Sequence, residues 1–244
     1  MKTFKAFRVI IVVTSLAVFF ANCKPKEPEY EPDTTPPELT APKDTITIDL
    51  GDKAAVLKNV RAIDSGYIDL TSQIKITNDT VLETLGHNTV KFEVSDAAGN
   101  KATTTRTVFV RGKKLEGTYE VTAILKGSEG FPMYYNIDVV ENPSNSARIQ
   151  FAFFHATSAT HGNGITVVLF GGGHKRLEME EKHGINLTTM EVSAILTGEV
   201  FFKCTDPAKE TYELETINYQ LRPENSTTIS DVQVFTTTNI KKIK

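Results

Sequence analysis

Period-two patterning constrains this chain more than any other feature. Residues 212–221 read Tyr-Glu-Leu-Glu-Thr-Ile-Asn-Tyr-Gln-Leu, an alternation that fits a strand with one face in a core and the other in water. Comparable β-rich runs lie at 118–125, 134–140, 148–154, 165–170, 185–190, 197–203 and 230–236. Gly, Pro, Asn and Asp collect in the gaps, at 126–132, 141–146, 171–173, 205–209 and 223–226. About eight strands at this spacing over residues 115–244 predict an antiparallel barrel or sandwich.

The N-terminus is of another kind. Lys2, Lys5 and Arg8 precede an apolar run over 9–21, relieved only by Thr14 and Ser15 and too short to span a bilayer as a helix. The run ends Phe20-Ala21-Asn22-Cys23, which resembles a bacterial lipobox. That resemblance implies a signal peptide over 1–22, cleavage before Cys23, a diacylglycerol on its thiol and an acylated amino group, a durable outer-membrane anchor. The alternative is an ordinary signal peptide that happens to end near a cysteine. Cys204 is the only other cysteine; its plainest reading is a small buried hydrophobe.

Removing residues 1–22 takes three positive charges and leaves 24 Lys and Arg against 30 Asp and Glu, a net charge near −6. An acidic chain with no basic run offers no footprint for nucleic acid. From Cys23 to Pro42 the chain is a proline-rich acidic tether with six prolines, expected to run extended at ~3.1 Å per residue. Glu27, Glu29, Glu31 and Asp33 crowd behind the cysteine. They resemble the acidic export tag of some Bacteroidetes lipoproteins, which implies display on the cell surface; an acidic linker is the plainer reading.

Residues 34–111 carry the strongest family resemblance. Asp33-Thr34-Thr35-Pro36-Pro37-Glu38-Leu39 opens the stretch, and Asp64-Ser65-Gly66-Tyr67-Ile68-Asp69-Leu70-Thr71 forms a loop inside it. Its sharpest part runs from Gly86-His87-Asn88-Thr89-Val90-Lys91-Phe92-Glu93-Val94 to Ser95-Asp96-Ala97-Ala98-Gly99-Asn100. These pieces resemble bacterial Ig-like surface repeats of the hyalin-repeat type, and the resemblance implies a small β-sandwich. Ala98-Gly99-Asn100 suits the positive φ of a tight hairpin, and 103–110 is the closing strand. Asp64, Asp69 and Asp96 are calcium candidates, since calcium collects hard oxygens. Without a compact acidic array the expected state is metal-free, with Asp96 capping its own hairpin turn.

The short link at 111–114 leads into Leu115-Glu116-Gly117-Thr118-Tyr119, which resembles the first strand of lipocalin-like barrels in Bacteroidetes lipoproteins. With so little apolar surface in the link, 34–111 and 115–244 are expected to fold independently. His155, His161, His174 and His183 show no metal-ligand spacing and read as scattered loop histidines. Gly171-Gly172-Gly173 has no Lys-Ser/Thr behind it and reads as a flexible turn; Glu178, Glu180, Glu181 and Lys182 read as a solvated charge run, or one helical turn. No nucleophile, triad order or cofactor motif is legible.

The expectation is an all-β chain, an Ig-like β-sandwich followed by an antiparallel β-barrel or sandwich, anchored in the outer membrane through lipid. It is expected to be non-catalytic and to need no cofactor. Its role is that of a surface binding protein, with the Ig-like domain as spacer and a glycan or an outer-membrane uptake complex as partner. A structural or adhesive envelope protein without a small ligand is the alternative, and a β-scaffold hydrolase the least favoured reading. Scaffold-borne loops are where binding groups concentrate, so the candidate ligand contacts are Phe131, Tyr134, Tyr135, His155 and His161 at one end of the second domain. Tyrosines must serve as sugar platforms because the chain has no Trp. Against this stands a closed barrel filled with side chains.

Overall fold

The computed structural model describes residues 31–153, 165–187, 192–225 and 232–244. Cys23, the signal segment, most of the tether, His155 and His161 lie outside the described residues.

The Ig-like stretch forms two small sheets. One is built from β1 (Glu38–Thr40), β3 (Arg61–Asp64) and β4 (Ile68–Asp69). The other orders β2 (Ile46–Asp49), β7 (Lys101–Arg111), β6 (Gly86–Ser95) and β5 (Lys75–Ile76), with β2 parallel to β7 and the other pairs antiparallel. The β6–β7 hairpin turns where the sequence placed it: Gly99 takes φ +90°, and Asp96 accepts from the Asn100 backbone N–H at 2.8 Å and its side-chain amide at 2.9 Å. Alternation along β7 buries Val108 and Val110 and leaves Thr103, Thr105 and Thr107 exposed. It also buries Arg106, whose guanidinium donates to the Val56 and Lys58 carbonyls at 3.2 and 2.9 Å. These carbonyls belong to the end of the short helix α1 (Lys53–Leu57), where last-turn acceptors have no helical donor. The buried cation is thereby tied to backbone acceptors.

The second half is a closed antiparallel barrel. Its strands are β8 (Gly117–Leu125), β9 (Met133–Glu141), β10 (Ile149–Phe153), β11 (Ile165–Gly173), β12 (Arg176–Met179), β13 (Lys182–Leu187), β14 (Val192–Asp206), β15 (Thr211–Pro223) and β16 (Gln233–Lys242). They form a meander in which β16 returns to β8, and β12 closes on β14 through Arg176↔Phe201, Leu177↔Val200 and Glu178↔Glu199. Eight strands complete the ring, while β13 flanks the first part of β14. Of the two expected forms, the barrel is the one observed. Its interior is filled: Tyr119, Ile137, Phe151, Leu169, Phe202, Leu214, Ile217 and Phe235 are all essentially inaccessible, and Tyr219 stacks on Phe235 at 4.6 Å.

Three expectations need correction. The run around Glu178 is no helical turn: Arg176-Leu177-Glu178-Met179 is the closing strand, with Leu177 and Met179 inward and Arg176 pairing with Glu178 and Glu199 outside. The alternation in β15 slips phase between Leu214 and Ile217, because a bulge opposite Phe201 and Phe202 inserts an extra residue. The triple glycine is not a free turn but the end of β11. A β-carbon at Gly171 would collide with the Leu85 carbonyl, so glycine there permits close approach of the Ig-like segment.

That approach bears on the expected independence of 34–111 and 115–244. Residues Pro36–Lys244 form one compact unit, and one hydrophobic cluster runs through it, from Ile48, Leu50, Leu82 and Leu85 to Ile149, Leu169 and Tyr212. The link at 111–114 is short, but the surfaces on either side are joined by packing. Gly112 N–H donates to the Ser146 carbonyl at 3.0 Å, and Lys114 reaches both the Leu50 carbonyl and Glu210 at 2.7 Å.

Candidate functional site

Among the places where polar side chains gather, two differ in how those groups are used. The first is the seam between the Ig-like segment and the barrel. Glu83, from the turn before β6, accepts from His174 Nε2 at 2.7 Å and the Tyr212 hydroxyl at 3.0 Å, and lies 3.3 Å from Lys175 Nζ. Burial alone would raise the Glu83 carboxyl, but the bonds from His174, Tyr212 and Lys175 outweigh it and hold it below the usual carboxylate range. Burial and the Glu83 charge push the Tyr212 phenol upward. Lys53 pairs with Asp79 at 2.8 Å beside the same hollow of about 350 Å³, which Cys204 and Glu210 also line. His174 is an exposed turn residue, as its spacing led one to expect, and it is also engaged at the seam through Glu83.

The second place is the outer face of β16, β8 and β9. Side chains alternate in and out along a strand, and the register fixes which ones share the outside. Thr122 stands opposite Tyr134 on one side and Asn239 on the other, and Glu120 opposite Asn136. Glu120, Thr122, Tyr134, Asn136 and Asn239 line an open groove of about 570 Å³. Tyr134 is 74% exposed, and Phe131 in the preceding hairpin loop is 82% exposed. Among the described residues, no hydrogen bond or ion pair occupies the side chains of Glu120, Tyr134, Asn136 or Asn239. The groove thus offers an aromatic face, two amides, a hydroxyl and a carboxylate, a set that fixes a polar ligand by stacking and directed hydrogen bonds.

The expected ligand contacts separate accordingly. Tyr134 and Phe131 are outside and available. Tyr135, one residue on, turns inward against the core with its hydroxyl facing that of Tyr219, and burial raises both phenols above their ordinary value. Its ring cannot act as a platform, so that expectation is corrected. Glu120, Thr122, Asn136 and Asn239 were missed from the sequence; the polar alternation Glu-x-Thr facing Tyr-x-Asn was the available signal. The groove they line lies on strand faces, whereas the expectation was the barrel end under the 127–133 loop.

Of the calcium candidates, Asp64 and Asp96 bring carboxylate oxygens within 4.8 Å of each other. Asp69 is spent on its own turn, accepting from the Thr71 N–H at 2.8 Å, and the Thr71 hydroxyl and then its N–H lower the carboxyl.

Residues 40–110 match the family model described as bacterial surface protein, Ig-like domain, so the first module is a bacterial surface Ig-like domain. No curated protein matches the chain. Among solved structures, the lipoprotein BT2262 from Bacteroides thetaiotaomicron aligns with 85% of this chain and 100% of its own, at 15% identity and a TM-score of 0.31. CBM51-2 in complex with GlcNAc and INT domains from Clostridium perfringens ZmpB aligns over 85% of this chain and 44% of its own, at 13% identity and a TM-score of 0.26. Likenesses at that level carry no argument about this chain's fold or ligand.

Proposed function

We propose that this protein is a non-catalytic lipoprotein of the bacterial cell surface, held in the outer membrane through Cys23, that binds glycan on the Tyr134 face of its barrel. The observation that carries the reading is the groove. A tyrosine ring stands exposed on a fixed strand, beside amide and carboxylate groups that make no side-chain bonds among the described residues. A sugar ring lays its apolar face on such an aromatic and spends its hydroxyls on neighbouring amides and carboxylates. The surface assignment is supported by the Ig-like module over 40–110 and by the lipobox-like end at Cys23. Because the seam joins the Ig-like module to the barrel through a shared core, that module serves as a stiff spacer and not as a loose one.

The test is a glycan array probed with the full chain in detergent, wild type and Tyr134→Ala. Retention of particular glycans that the substitution removes is the expected outcome; signals indifferent to Tyr134, or none, would reject the reading. Palmitate labelling abolished by Cys23→Ala tests the anchor, and release of wild-type protein from membranes without detergent would contradict it.

A further inference from the structure

We infer that the groove takes uncharged glycan chains of two or more rings, with Phe131 as a second platform beyond Tyr134; this rests on the glycan reading above. Three observations carry it.

The first is that two large aromatic side chains stand exposed on the same hairpin, Phe131 at 82% and Tyr134 at 74%. Phe131 stands in the turn that leads into β9 and Tyr134 near the start of that strand, so the two rings are separate platforms and not one. Phe131 is also held in place: its N–H donates to the Ser128 carbonyl at 3.0 Å, Gly127 N–H donates to Glu129 Oε1 at 2.9 Å, and Lys126 N–H donates to the Val234 carbonyl at 2.9 Å. An aromatic ring presented on a tied turn offers contact area at low entropic cost.

The second is the position of the groove. It runs over the faces of β16, β8 and β9 and is not closed by a barrel mouth, so a chain can lie along it without presenting an end.

The third is charge. Among the described residues, Glu120 is the one carboxylate or ammonium group lining the groove, and its cross-strand neighbour on β16 is Lys241, so the two formal charges offset. At the hairpin, Lys126 and Glu129 offset each other likewise. Nothing there concentrates positive potential, and an acidic glycan would bring its carboxylates or sulfates to a mature chain of net charge near −6.

The experiment probes full-length protein in detergent against two sets of oligosaccharides, each of one to six units. One set is neutral (gluco-, manno- and galacto-series); the other is acidic (oligogalacturonates and sulfated galactans). Wild type, Tyr134→Ala, Tyr134→Phe and Phe131→Ala are compared. The expected result is binding confined to neutral probes. Tyr134→Ala abolishes it at every length and Tyr134→Phe retains most of it. Phe131→Ala costs about three- to ten-fold on probes of two or more units and leaves single sugars unchanged. Tyr134-dependent binding of acidic probes, or a Phe131 effect that ignores length, would overturn this inference while leaving the glycan reading intact. Absence of any Tyr134-dependent binding would overturn both.

Discussion

At the seam, Glu83 takes bonds from His174 and Tyr212 and sits against Lys175, while Lys114 bridges the Leu50 carbonyl and Glu210. On the Tyr134 face, Glu120, Asn136 and Asn239 have no such partners among the described residues, and two aromatic rings stand in water. The residue types are much the same: tyrosine, glutamate and polar side chains. What differs is whether the fold itself consumes their bonding capacity. Groups paired within the protein fix the geometry of its modules; groups held on rigid strands without partners are available to something else.

The largest effect is expected at Leu82. It is fully buried and lines the hollow beneath Tyr212, so Leu82→Ala should cost about 2–5 kcal/mol. Because its cluster continues into the barrel, the loss should reach both halves. Hydrogen exchange of β11 and β15 amides is expected to accelerate together with that of β6 and β7, and denaturant unfolding to remain a single transition. A barrel that keeps its protection while the Ig-like strands lose theirs would restore the two-core picture that the sequence favoured.

Glu83→Gln should cost less, about 1–2 kcal/mol, since the neutral amide keeps a hydrogen-bonding oxygen but gives up the charge that His174, Lys175 and Tyr212 address. The pH dependence follows from the direction of its shift. Glu83 has a folded value depressed below the ordinary 4.5, so its contribution is complete above that value and disappears as the carboxyl protonates on acidification. Wild type should therefore lose stability below about pH 4.5 more steeply than Glu83→Gln, measured by denaturant midpoints across pH 3–7. Parallel profiles would show that Glu83 is not the group joining the modules.

Legibility in the sequence follows the range of the interactions. The β6–β7 hairpin and the Asp96 cap were legible because turn and cap are settled within about five residues of one another. The barrel was legible as a count of strands, but not its closing element. Arg176-Leu177-Glu178-Met179 is too short to show a period, and its charged members disguised it until pairing with β14 placed Leu177 and Met179 inside. The seam was hidden because Glu83 meets His174 and Tyr212, 91 and 129 positions away, and Leu85 meets Gly171; no local pattern records that. For the candidate site the sequence offered two adjacent tyrosines and no way to tell which one faces water. Tyr134 and Tyr135 are indistinguishable by composition, and only the register Thr122↔Tyr134 decides which faces water.

The smallest stability effect, and the sharpest contrast with the seam, belongs to the groove. Tyr134 is 74% exposed and makes no internal hydrogen bond among the described residues, so Tyr134→Ala should change unfolding free energy by no more than about 0.5 kcal/mol. The neighbouring Tyr135→Ala removes a partly buried ring packed against the core and should cost about 2–3 kcal/mol. Two adjacent tyrosines thus make an internal control. If the faces are assigned correctly, ligand binding follows position 134 and melting temperature follows position 135. Thermal melts and glycan retention on the same two preparations read both quantities. A Tyr134→Ala protein that melts several degrees lower would mean that its ring supports the fold, and the groove would then have no surplus aromatic to offer a ligand.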